Sequence, residues 1–272
     1  MILLQNKKVA LHVNEDSQPH FYKSSYIQKG LLLYYDDKPI CGEGVGFGVP
    51  VVKYEDKTYF PKKCKLFISE ENSIINVKKE FEINGVFRIK IFGKYINKKL
   101  LYGFTELFSK IHREHRGIRK ILDFFLMIAR YIMGRPADLV DTESKGIIAV
   151  LYQIHENIIS IKVDCSRLDR GNCKEICIMN EQGADFFRKY RDSDGKILRD
   201  DQISSWEKVK ADKAEFSCDE YGIRFGLSNI TGYDLFMGRE KFKYHLAWTG
   251  FAYIISPTAN EFEYKLDLQI ND

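Results

Sequence analysis

The chain has 272 residues, with 42 Lys and Arg against 38 Asp and Glu, a net charge of +4, 44% hydrophobic and 14% aromatic residues. This composition excludes a disordered, collagen-like or low-complexity chain, each of which needs fewer apolar residues or a strong compositional bias. A chain of this length buries most of its unfolded surface and builds its own core.

The N-terminal apolar run, Met1 to Leu4, precedes Lys7 and Lys8, the reverse of a secretory signal. The longest apolar block, Ile121 to Met133, is interrupted by Asp123 and Arg130 and is too short for a membrane span. Six cysteines in a chain this large and without a signal are expected to be reduced thiols, so a cytoplasmic location is the expectation.

Most of the chain reads as short strands. Gly30 to Tyr35 is apolar and ends at Asp36-Asp37-Lys38-Pro39, a turn signal; a second run extends from Ile40 through Val52. Val51 to Tyr54 and Thr58 to Phe60 form a hairpin around Glu55-Asp56-Lys57. Ile74 to Ile83 and Val86 to Phe92 flank Asn84-Gly85, which predicts a second hairpin with a type I′ turn.

The style changes at Leu101 to Gly134. Phe104, Leu107, Phe108 and Ile111, then Ile118, Ile121, Leu122, Phe125, Ile128, Ala129 and Ile132, recur at helical spacing. Gly134-Arg135-Pro136 is a helix stop. Strands then resume. Gly146 to Ile154 and Ile158 to Val163 make a hairpin, Ile176 to Met179 and Asp185 to Tyr190 another around a turn ending at Gly183, and Ser193-Asp194-Gly195 turns the chain again. Ile223 to Phe225, Tyr244 to Trp248, Phe251 to Ile255 and Phe262 to Leu268 complete the set. The pattern predicts a mainly β fold, a large antiparallel β-sandwich with a helical insertion over 101–134. It reads as one domain, 1–272, with two β subdomains split at that insertion as the alternative.

The net charge is local. Lys110, Arg113, Arg116, Arg119 and Lys120 face one acid, Glu114, so this stretch alone carries +4. Such a segment is a solvated helix face, an amphipathic element on an anionic membrane surface, or a contact for an acidic partner. Nucleic acid is the weaker partner reading, because no RNP motif, zinc-finger spacing or helix-turn-helix accompanies the basic residues.

Gly42-Glu43-Gly44-Val45-Gly46-Phe47-Gly48 places glycine at every second position. It is no dinucleotide fingerprint, because Val49 to Tyr54 is extended where the phosphate site needs a helix. On a strand the four glycines share one bare face, which an aromatic ring, a crossing chain or a ligand near Gly44 and Gly46 must approach. Asp192-Ser193-Asp194-Gly195 lacks the first and last calcium ligands and reads as a turn. Cys173 and Cys177 lie too far apart on a strand for a zinc pair, and no cofactor motif or metal-ligand set is found.

His245 shares a strand face with Ala247 and Thr249, a setting that suits an acid or base near neutral pH. With Glu43 it forms the candidate catalytic pair. Arg224 and Arg239 are candidate anion contacts and Trp206 a candidate stacking surface. The function expected from these residues is saccharide binding, with acid–base chemistry if the protein is catalytic. The alternative is a non-enzymatic interaction protein acting through the basic segment.

Overall fold

The computed structural model describes residues 2–3, 8–13, 27–55, 57–91, 94–95, 137–242 and 246–270. The expected helical insertion at 101–134 and its five basic residues lie outside the described residues.

The described chain is mainly β and antiparallel. A small sheet pairs β1 (Ile2–Leu3), β2 (Val9–His12), β3 (Leu32–Tyr35) and β4 (Lys38–Pro39) in sequence order. The remaining strands are β5 (Gly46–Tyr54), β6 (Lys57–Glu71), β7 (Ile74–Ile91), β8 (Lys94–Tyr95), β9 (Ala137–Asp141), β10 (Gly146–His155), β11 (Ile158–Leu168) and β12 (Cys173–Gly183). They are followed by β13 (Lys189–Asp192), β14 (Ile197–Arg199), β15 (Glu207–Lys208), β16 (Lys213–Cys218), β17 (Ile223–Ser228), β18 (Asp234–Phe242), β19 (Leu246–Ile255) and β20 (Glu261–Ile270). These sixteen form one sheet in the order β14-β13-β16-β17-β20-β11-β10-β7-β6-β5-β12-β19-β18-β15, with β8 and β9 added on β7. One turn of 3-10 helix, Asp200–Gln202, is the only helical element among the described residues.

Several strand boundaries differ from expectation: the run from Ile40 becomes strand only at Gly46, and that from Asp185 only at Lys189. Strand β7 runs straight through Asn84-Gly85, and the hairpin turn is at Asn72 and Ser73, both at positive φ. Asn84-Gly85 instead marks a change of partner: β10 pairs with β7 up to Glu82, and β9 takes over from Gly85. The Asn84 carbonyl there accepts from the backbone N–H and hydroxyl of Thr142. Strand β12 likewise continues to Gly183, where the sequence suggested a turn; it pairs with β5 and β19, whereas β13 starts only at Lys189 and pairs with β14 and β16, so the expected hairpin between Ile176–Met179 and Asp185–Tyr190 does not form. The hairpins at Glu55, at Glu156-Asn157 and at Ser193 to Gly195 fall where expected.

The long sheet doubles back on its own apolar face. Phe225 of β17 is fully buried and meets Phe47 of β5 and Phe251 of β19 at ring-centre distances of 5.3 and 5.9 Å. Phe216 of β16 also meets Phe251, and Tyr264 of β20 meets Tyr253 of β19. Each such ring removes enough apolar area to contribute about 2–3 kcal/mol, and edge-to-face pairing adds about 1 kcal/mol more. Polar ties run through the same interior. The Tyr152 hydroxyl donates to the Phe47 carbonyl at 2.8 Å, and the Tyr264 hydroxyl to Asn180 Oδ1 at 2.7 Å. The small sheet adds Val9, Leu11 and Leu33 to this core, and Leu31, just before β3, joins them.

The two ends of the strand order are neighbours in sequence. Strands β14 and β15 are separated only by residues 200–206. Asp200 fastens this connection. Its carboxylate takes two hydrogen bonds from Arg188, at 2.8 and 3.0 Å, and one from Arg239 of β18 at 3.3 Å. The Arg239 side chain is 8% exposed and that of Arg188 60%. The cost of losing a charge therefore falls on the buried side. Asp200→Asn, which tolerates the positive φ at this position, is expected to destabilise the protein by about 2 kcal/mol in urea unfolding. Arg188→Ala is expected to cost less than about 1 kcal/mol. Equal effects would mean that Asp200 acts through its exposed pair.

Candidate functional site

The glycine run is a crossing point and not a regular strand. Gly42 turns the chain, and Gly46 and Gly48 enter β5 at φ of 89° and 77°, beside a bulge opposite Met179-Asn180. Protein fills the bare positions. A Cβ on Gly44 would lie 2.8 Å from the Glu181 carbonyl carbon, one on Gly46 2.8 Å from the Leu31 oxygen, and one on Gly48 2.7 Å from the Tyr152 hydroxyl. A crossing chain thus meets Gly44 and Gly46, and an aromatic ring meets Gly48.

The crossing brings together side chains that are far apart in sequence. Strand β12 carries Asn180, Glu181 and Gln182 in alternating directions, and all three are buried. Asn180 and Gln182 point inward as structural hydrogen-bonders. Gln182 accepts from Leu33 N–H and donates to the Leu31 carbonyl, tying β12 to the small sheet. Glu181 points outward, under the glycine run, where Oε2 accepts from Val45 N–H at 3.3 Å. Lys29 closes the same spot, donating to the Gly44 carbonyl at 2.8 Å and to that of Glu43 at 3.5 Å.

This environment shifts several ionisable groups. Burial pushes the Glu181 carboxyl up to about 7; the Val45 N–H and the Lys29 charge oppose the shift, and Glu240 adds to it. Burial lowers Lys29, against the pull of Cys41, Glu181 and Glu43. Burial also raises the Cys41 thiol to about 11 and the Cys177 thiol to about 12, so neither is primed as a thiolate.

A pair of indoles adjoins Glu181 on the outer face, Trp206 half-buried and Trp248 buried. Strand register places Glu181, Gly250 and Gly238 in one row across β12, β19 and β18, with Gly183, Trp248 and Glu240 beside it. Two strand spacings put Gly238 about 10 Å from Glu181. The Trp206 backbone sits over Gly238, and its indole stacks on Trp248 with ring centres 4.5 Å apart. The Ser205 hydroxyl donates to Glu240 Oε1 at 2.5 Å.

The structure thus gathers Glu43, Gly44, Gly46 and Trp206 along one face, with Lys29, Glu181, Glu240 and Trp248 as members the sequence did not single out. Arg239 is on the opposite, inward face of β18. Arg224 of β17 lies within 3.9 Å of Glu215 and belongs to neither group. His245 lies outside the described residues. Among the described residues, no cluster of His, Cys, Asp or Glu could hold a metal ion. Comparison with protein families, curated proteins and solved structures finds no match.

Glu181 should leave a mark on stability. Its proton is held to about 7 in the folded chain but to an ordinary 4.5 when exposed. Between these values the folded state binds more protons, so stability falls as pH rises through the window. The fall is on the order of 3 kcal/mol. Glu181→Gln can still accept from Val45 N–H and is expected to match the parent at pH 5 and to exceed its melting temperature at pH 8. Parallel pH profiles for the two proteins would show that Glu181 is ionised throughout.

Proposed function

We propose that the protein binds a saccharide on the outer face of β12, β19 and β18, in a β-sandwich formed by the folded-over sheet as one domain. The observation that carries the reading is the buried Glu181 carboxyl, about 7, near a stacked indole pair and influenced by Glu240. Indole rings offer a flat apolar surface for the C–H faces of a sugar, and carboxylates accept from its hydroxyls. Carboxyl groups in unlike environments are also the usual basis of acid–base division in glycoside chemistry. In a catalytic form of this reading Glu181, raised to about 7, exchanges its proton around neutral pH and Glu240 is the second carboxyl group. Glu43 and His245 remain candidates beside them, and no cofactor is required.

A thermal-shift screen with neutral, amino and acidic saccharides tests the reading. At least one class should raise the melting temperature, and Trp206→Ala should weaken that ligand about tenfold. An identical response from Trp206→Ala would remove the aromatic platform, and silence across the panel would remove the saccharide reading.

A second reading rests on the charge concentrated at residues 110–120. It assigns that segment to an anionic membrane surface or acidic partner, apart from the sheet face. Binding to anionic vesicles should then weaken with salt and vanish when Arg113, Arg116 and Arg119 become Glu. Vesicle binding indifferent to those changes would exclude it.

A further inference from the structure

Strand β6 outruns its neighbour on one side. Strand β5 pairs with it only at Lys57, Thr58 and Tyr59, and the Gln28 N–H then reaches the Pro61 carbonyl at 2.8 Å. From Lys62 to Glu71, β6 pairs with β7 alone among the described strands. At roughly 3.4 Å per residue this edge is about 34 Å long. An edge of that kind carries backbone N–H and C=O groups that a strand of another molecule can match.

The side chains along it are unusual for a surface strand. Of the four strongly exposed large apolar side chains among the described residues, two are adjacent here, Phe67 at 52% and Ile68 at 55%. Alternation puts Cys64, Leu66 and Ile68 on the face toward the core, where Cys64 and Leu66 are partly packed. Lys63, Lys65 and Phe67 share the other face, all exposed. Charge is divided along the strand. Lys62, Lys63 and Lys65 precede the apolar centre, and Glu70 and Glu71 follow it. Lys62 is paired with Asp141 at 2.7 Å, and Lys63 reaches Glu82 only at 4.0 Å. Lys65, Glu70 and Glu71 enter no ion pair among the described residues.

We propose that this edge joins two copies of the chain, β6 against β6, antiparallel about a twofold axis at Phe67. A strand with bases at one end and acids at the other complements itself when reversed, whereas parallel pairing in register would set lysine on lysine. A twofold axis perpendicular to the sheet keeps every side chain on its own face. With Phe67 opposite its copy, Leu66 faces Ile68, Lys65 faces Ser69 and Lys63 faces Glu71 of the second molecule. Moving the axis to Leu66 would set Lys65 against Phe67, and moving it to Ile68 would set Glu70 against Leu66. Only the Phe67 axis keeps apolar side chains together and charges apart from them.

Analytical ultracentrifugation of the full chain tests the interface. The parent should show a concentration-dependent monomer–dimer equilibrium at micromolar concentrations. Lys63→Glu and Glu71→Lys each turn two symmetry-related attractions into repulsions and should raise the dimer dissociation constant about tenfold. The double variant reverses both charges and should restore the parent value. A parent that stays monomeric overturns the proposal. A dimer indifferent to both single changes lies on another surface and overturns it too. A double variant no tighter than the single ones means that positions 63 and 71 do not face each other, and overturns the Phe67 axis.

Discussion

The structure depends on backbone approaching backbone where no side chain intervenes. Residues 40–44 pass strand β12 so closely that a Cβ on Gly44 would sit 2.8 Å from the Glu181 oxygen, and one on Gly183 2.8 Å from the Ile40 oxygen. Only glycine permits that contact. The small sheet docks on the large one through this crossing, and the Gln182 amide then bonds to the Leu31 and Leu33 backbone. The same closeness removes Glu181 from water, since the glycine run lies over it. One steric constraint therefore joins the two sheets and sets the chemistry of the site.

Strand β12 shows how one run of polar residues serves two purposes. Alternation sends Asn180 and Gln182 inward, where their amides satisfy buried backbone groups and the Tyr264 hydroxyl. It sends Glu181 the other way, against a lysine bound to two carbonyls. Amides suit the interior because they carry no charge to desolvate. A carboxyl does not, and burial raises its hold on the proton to about 7.

The sequence made the local features legible. Alternating apolar residues and turn chemistry located most strands and the turns at Glu55, Glu156 and Gly195. The failures were non-local. Asn84-Gly85 is a strong turn signal, but an exchange of neighbours from β10 to β9 kept the strand extended. Asn180 to Gly183 looked like a turn because buried polar runs are rare, and the backbone groups they bond at Gly48 and Leu31 lie more than 130 residues away. For the same reason the site was half visible. Glu43, Gly44, Gly46 and Trp206 stand in unusual local sequence, whereas Lys29, Glu181 and Glu240 stand in ordinary sequence and become notable only through strand order.

The seam at residues 200–206 has a consequence for behaviour in a crowded solution. A wide antiparallel sheet ordinarily presents two outer strands with unpaired N–H and C=O groups, each a template for a strand from another molecule. Here both outer strands, β14 and β15, are very short, three and two residues, and a single connection holds them together. Lys196 and Glu207, 2.6 Å apart, add opposite charges across the join. The sheet thus offers a foreign strand almost no backbone at either end of its order. The connection that completes the fold therefore shields these two ends alone, whereas β6 beyond Tyr59 pairs only with β7 among the described strands.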